Sequence, residues 1–268
     1  VPVPTPELSP GGGLVDSGTQ VEITVDSPDA SLYYTLDGSD PRSGVNPSAS
    51  AVLYQGPISI TGNTLINVRA RYEQSVWSSA VSATYVTSIP ALTITEFMYN
   101  PPAATPLEDP NDEFSTTNLE FIELKNVGSE AVELTGVRFG RGVTFDFNDA
   151  LVDTLGAGQV GVIVNEPAAF IARYGEDVLI LGEYRGSLSN RAETIQLRGP
   201  LGQPIFEFRY EAAWHPDTTN GQGYSMVNVF PDAPPIISAR PPKTFIIPIG
   251  EKLNYQLESF DLNQNAFS

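Results

Sequence analysis

The chain reads as an all-β protein built of tandem β-sandwiches, with one short helix in the second and the first strands of a third. Three observations carry that reading. Apolar and polar residues alternate with a period of two in many short segments, as half-buried strands require. Glycine and proline, 23 of each in 268 residues, fall between those segments and punctuate them as turns. Only residues 166–174 show a helical pattern, with Pro167 in the first turn, Asn165 as a candidate cap and Gly175 as the stop.

Taken in order, residues 1–18 are rich in proline and glycine and read as an extended linker. Residues 20–25 (QVEITV), 31–36 (SLYYTL), 65–72 (LINVRARY) and 80–86 (AVSATYV) are strands, and Asp37-Gly38 is a strong turn signal. Together they place a small sandwich at residues 19–87. A second sandwich occupies residues 88–231. Its strands are predicted at 92–100, 120–126, 143–147, 160–164, 178–181, 194–198, 204–210 and 223–227. Within it the stretch 119–139, LEFIELKNVGSEAVELTGVRF, reads as two strands joined at Gly128 and Ser129. Ile122 and Leu124 share one face of its first strand, and Glu123 and Lys125 share the other. Residues 232–268 comprise a linker and the opening strands of a third sandwich, at 244–249 and 253–260. The 37 residues there are fewer than the roughly 100 of a whole sandwich. The start without Met or signal peptide and the final NAFS lead us to expect a piece of a longer, processed protein.

Composition bounds the function. Hydrophobic residues make up 41% of the chain, enough for real cores. The net charge of −18 repels nucleic acid and anionic membranes, so neither is an expected partner. There is no cysteine, which excludes disulfides, thiolate catalysis and cysteine-based zinc sites. No apolar segment approaches the roughly 20 residues of a membrane-spanning helix.

No residue pattern points to a reaction. Gly156, Gly158 and Gly161 spell G-x-G-x-x-G, but a β-branched strand follows where a dinucleotide site needs a helix, so the glycines belong to a turn. His215 is the only histidine and has neither a G-x-S-x-G nucleophile nor a cysteine to serve. Catalytic residues are therefore expected to be none. Glu120 and Glu123 fall on opposite faces of one strand and read as ordinary strand residues. Two acidic groups are candidate calcium ligands, because calcium takes about six to eight oxygens. One is the loop with Glu108, Asp109, Asp112 and Glu113, weighed against a solvated acidic loop. The other is Asp261, Asn263 and Asn265 in a D-x-N-x-N spacing. Calcium is the candidate cofactor. Asp37 and Asp40 are turn residues whose side chains bond local amides. Trp77 is a candidate glycan contact if exposed, weighed against a tryptophan packed at a strand end.

Three resemblances add to this reading. YYTLDGSDPR (33–42), LYQGPISI (53–60), LINVRARY and WSSAVSATY (77–85) resemble the fibronectin-like C-terminal domain of chitobiases and β-hexosaminidases. That resemblance implies an accessory immunoglobulin-like sandwich without catalysis. ITEFMYNPP (94–102), EFIELKNVGSEAVELTGVRF (120–139), TLGAGQVGVIV (154–164), SLSNRAETIQLRGPLG (187–202) and Trp214-His215-Pro216 resemble the lamin tail domain, with Phe121 where many members have tryptophan. That family is immunoglobulin-like and recurs in large secreted and cell-surface bacterial proteins. LNYQLESFDLNQN (253–265) resembles the opening of a cadherin-like repeat. The resemblances imply a structural or adhesive module of an extracellular or cell-surface bacterial protein. Its partners would be other domains of the parent chain, other copies, proteins or glycans. The alternative is an accessory binding module of a secreted carbohydrate-active enzyme or nuclease.

Overall fold

The computed structural model describes residues 4–73, 75–214 and 219–228, together with the backbone of Thr244–Pro248. The chain is all-β, with one α-helix among the described residues. It divides into two compact units. Val1–Ala91, Thr135–Arg138 and Leu197–Ile205 form one, and Leu92–Leu134, Phe139–Gln196 and Phe206–Ser268 the other.

The first unit contains β1 (Glu7–Ser9), β2 (Gly13–Leu14), β3 (Thr19–Thr24), β4 (Ser31–Thr35), β5 (Arg42–Ser43), β6 (Asn46–Pro47), β7 (Val52–Leu53), β8 (Ile58–Ile60), β9 (Thr64–Tyr72), β10 (Val76–Trp77) and β11 (Val81–Val86). One sheet runs β1-β3-β8. The other runs β2-β11-β9-β4-β7, with β10 also on β9. Their inner faces meet in a core of Val21, Ile23, Ile58, Ile60, Ile66, Val68, Ala83 and Tyr85. Those positions are the apolar halves of the alternating segments, which is why the strands formed where the period of two placed them. The segment read as a linker differs: β1 pairs with β3, and β2 pairs in parallel with β11. Leu8 packs on the core, and the Tyr85 hydroxyl donates to the Pro10 carbonyl at 2.6 Å. An extended proline-flanked segment has its backbone groups free to satisfy a sheet edge, and here it does so.

The YTLDGSDP motif is a built turn. The Asp37 carboxylate accepts from the Ser39 amide at 2.9 Å, and the Thr35 hydroxyl donates to the Ser39 carbonyl. Gly38 has φ +75°, and a Cβ there would lie 2.3 Å from Leu65 Cδ2, so no larger residue fits. Asp40 reaches across to Arg69, accepting from Nε at 2.7 Å and from a terminal nitrogen at 2.8 Å.

The second unit holds β12 (Leu92–Met98), β13 (Phe121–Asn126), β14 (Val132–Glu133), most of β15 (Arg138–Arg141), β16 (Thr154–Leu155), β17 (Val160–Val164), α1 (Pro167–Tyr174), β18 (Ile180–Glu183), most of β19 (Ala192–Arg198), most of β20 (Pro204–Glu211), β21 (Tyr224–Asn228) and β22 (Thr244–Pro248). Its main sheet runs β18-β17-β13-β12-β21-β22, and a second runs β15-β19-β20. Phe97 and Tyr99 at the end of β12 meet Tyr210 of β20 at ring distances of 5.0 and 5.2 Å, closing the sandwich at that end. On the opposite face of the main sheet, α1 lays Phe170 and Tyr174 against Phe121 at 5.5 and 5.2 Å.

The two strands read in 119–139 form as β13 and β14, but they do not pair with each other: β14 pairs with β16. Buried Asn126 turns the chain away from β13. Its amide donates to the carbonyls of Glu130, Leu155 and Gly156, and its Oδ1 accepts from the Gly128 amide. Two further expectations are corrected. Residues 143–147 are not a strand; Thr144 makes one isolated bridge to Arg185, and Phe147–Asp149 is a 3-10 turn. Their alternation instead buries Val143, Phe145 and Phe147. The helix is capped by Glu166, which accepts from the Ala168 amide, and not by Asn165. Asn165 donates to the Gly186 carbonyl at 2.7 Å and accepts from Asn118 at 3.0 Å. Gly161, the last glycine of the decoy motif, sits inside β17, where a Cβ would meet Leu181 at 2.7 Å.

Candidate functional site

A carboxyl group strongly raised by burial lies one residue ahead of β13. Glu120 is only 1% exposed. Its Oε2 accepts from the Leu188 amide at 2.8 Å and from the Tyr184 hydroxyl at 3.1 Å. Burial pushes its carboxyl up from 4.5 to about 7, and nearby Glu193 adds to the rise; the two hydrogen bonds only partly offset this. Glu193, also raised by burial, accepts from the Ser189 amide at 2.9 Å. The Tyr210 hydroxyl donates to the Ser189 carbonyl at 2.7 Å. Burial and the neighbouring carboxylates raise Tyr184 and Tyr210 well above an ordinary phenol. Two acids and two phenols thus hold one loop, residues 184–193, against the start of β13.

A second pair lies across the main sheet. Glu96 and Glu123 are register partners beside an irregularity in β12 that turns Thr95 toward Glu123. The Ser225 hydroxyl donates to Glu96. Burial raises both carboxyls, and the charge of Glu123 raises Glu96 further. Perturbed carboxyls mark functional sites often enough to require an account. The account for Glu120 is architectural: it is sealed from solvent, and its donors belong to the loop it anchors.

In the loop of candidate calcium ligands, the four acids do different work. Glu108 forms a fork with Arg173, accepting from Nε and from a terminal nitrogen at 2.9 Å each, and accepts from the Thr105 amide at 2.6 Å. The Arg173 guanidinium, 8% exposed, lowers the Glu108 carboxyl to about 2 and donates to the carbonyls of Pro102 and Ala103. Asp109 accepts from the Phe114 amide at 2.6 Å, and backbone amides of its own loop hold its carboxyl below the usual range. Asp112 takes φ +58°, and both it and Glu113 are exposed. Among the described residues, no three acidic or histidine side chains are grouped to hold a metal ion.

Residues 10–83 match the family described as chitobiase/β-hexosaminidase C-terminal domain, and residues 86–212 match the Lamin Tail Domain. The chain carries a lamin tail domain behind a chitobiase-type domain. Both families are immunoglobulin-like domains of the non-catalytic, binding type. No curated protein matches the chain. Among solved structures, it is similar to a DUF4876 family protein from Bacteroides thetaiotaomicron VPI-5482, at 8% identity with a TM-score of 0.27 over 74% of this chain. The chain covers 66% of that protein's length.

In the chitobiase-type domain, Trp77 is not an exposed platform. It is 9% exposed, packs on Tyr33 at 5.6 Å and lies under the Arg71 guanidinium at 5.4 Å. Its Nε1 donates to the Val45 carbonyl at 3.1 Å. Both the ring and its polar edge are spent inside the domain. His215, Asp261, Asn263 and Asn265 lie outside the described residues. In the lamin tail domain, the Glu120 cluster escaped sequence reasoning because its members are scattered from residue 120 to residue 210. The one local hint was a glutamate directly beside the buried run Phe121, Ile122 and Leu124.

Proposed function

We propose that this chain is a non-catalytic structural or adhesive module of an extracellular or cell-surface bacterial protein, making contacts with proteins or glycans. What carries the reading is how the reactive side chains are used. Glu120, Glu193, Tyr184 and Tyr210 anchor a loop, Glu108 is forked by Arg173, and Trp77 is packed on both its ring and its edge. Two sandwich domains of the binding type support it. No helix among the described residues is long and apolar enough to cross a membrane.

The chitobiase-type domain favours a second reading, an accessory binding module of a secreted carbohydrate-active enzyme or nuclease. A glycan array probed with the full chain tests this second reading: it requires saturable binding to a defined sugar class, and no binding to any sugar leaves protein contacts as the module's role. The non-catalytic claim is tested with the same protein against glycoside, phosphoester and nucleic-acid substrates. We expect no turnover. Turnover that disappears in Glu120→Gln, with the fold intact by circular dichroism, overturns the claim.

A further inference from the structure

β22 closes one edge of the lamin tail sheet. It pairs antiparallel with β21 over five residues, from Tyr224 opposite Pro248 to Asn228 opposite Thr244. In the sequence this segment looked like the opening of a third sandwich, yet its backbone extends the sheet of the second. Adjacent antiparallel strands need a connection of only about two to five residues. Here residues 229–243 intervene, 15 in all, and five of them are proline. A segment of fifteen residues can span up to roughly 50 Å, against the roughly 5 Å between paired strands. The connection is long enough to carry the strand to another molecule.

The ladder itself is indifferent to the strand's origin. The same five pairings form whether Thr244–Pro248 comes from the same chain or from another copy. The two arrangements therefore differ chiefly in how the connection is closed, which is the circumstance that makes exchange of an identical element inexpensive. The chain's own strand is favoured only by its effective concentration, which for a short flexible tether is of millimolar order and falls for longer tethers. We propose that the outer edge of β21, covered by β22, is a strand-exchange site, at which Thr244–Pro248 of a second copy replaces the chain's own strand. Reciprocal exchange joins two lamin tail sheets into a dimer through backbone hydrogen bonds. The proposal rests on the structural or adhesive reading above and names its partner: another copy of this chain.

The absence of cysteine makes the test clean, because introduced thiols are the only ones present. Val227 and Phe245 are register partners. Full-length Val227→Cys and Phe245→Cys chains are mixed, unfolded, refolded together at about 10 μM and about 1 mM, and oxidised. The expected product is a mixed-disulfide dimer on a non-reducing gel, its share rising about tenfold or more at the higher concentration. Val227→Cys mixed with Ile247→Cys, two residues out of register, should give far less. The double variant Val227→Cys/Phe245→Cys measures closure within one chain. If it closes internally while the mixture yields no more dimer than the off-register control, exchange is overturned and the module reading stands. If neither product forms, β22 does not lie on β21 and the proposal falls. Asn228→Cys with Thr244→Cys repeats the experiment should Val227→Cys fail to fold.

Discussion

Replacing Glu120 by Gln tests the buried acid at the centre of the lamin tail domain. The folded carboxyl titrates near 7 and its ordinary value is 4.5, so the folded protein keeps a proton that the unfolded chain releases between those values. The sign follows directly. Stability from the protonated form is fully present below pH 4.5 and is lost as pH rises through 7. At about 1.4 kcal/mol per pH unit the whole effect is about 3 kcal/mol, of which roughly 2.5 kcal/mol is lost between pH 5 and 8. Glutamine keeps an oxygen for the Leu188 amide and the Tyr184 hydroxyl but cannot ionise. Whatever its spare NH2 costs is the same at every pH and cannot change the slope. The assay is urea unfolding at pH 5, 6, 7 and 8, with Trp77→Phe in both proteins so that Trp214 alone reports on its own unit. The wild-type unfolding free energy should fall by roughly 2.5 kcal/mol more than that of Glu120→Gln over the range. Glu96 and Glu123 also have raised carboxyls, but they lie outside the Glu120 cluster, are common to both proteins and cancel in the difference. Parallel curves would refute the reasoning.

Other expectations follow from the same contacts. Arg173→Ala leaves Glu108 and two loop carbonyls without their donor and should destabilise the lamin tail domain by about 3 kcal/mol by urea unfolding; Arg173→Lys should recover only part, because an ammonium cannot reproduce the fork. Acid titration of that variant should also lose the stabilisation that the wild type holds above pH 4.5 and gives up as Glu108 protonates toward 2. Trp77→Ala should cost the chitobiase-type domain roughly 3–5 kcal/mol while a glycan leaves the fluorescence of wild-type Trp77 unchanged; ligand-dependent quenching would reinstate a platform. Millimolar calcium should not raise the melting temperature through the 108–113 loop, since Glu108 is held by Arg173; a rise removed by Asp112→Asn would contradict this.

Much of the fold was legible in the chain. The alternation of Val21 and Ile23, of Ile66, Val68 and Ala70, and of Ile122 and Leu124 named the strands and their buried faces, because a period of two is a local property of extended backbone. Gly38 and Gly175 marked turns for an equally local reason, their positive φ. The misreadings share a cause. Asn126 turns the chain away from β13 by reaching carbonyls 4, 29 and 30 residues away, and no window around Gly128 contains that information. Residues 143–147 alternate like a strand, yet their burial satisfied a phenylalanine cluster with Phe139 rather than a ladder.

Sequence alone determined that the chain is all-β, that it joins a chitobiase-type domain to a lamin tail domain, and that the glycine motif from Gly156 to Gly161 runs from a turn into a strand and does not form a nucleotide site. Each of these depends on neighbours along the chain. Tertiary structure alone decided that Glu120 is an acid titrating near neutrality, that Glu108 belongs to Arg173, that Trp77 faces inward and that Thr244–Pro248 extends the lamin tail sheet. A carboxyl's proton affinity and a ring's exposure are set by the dielectric and donors around them, and those come from residues tens of positions away.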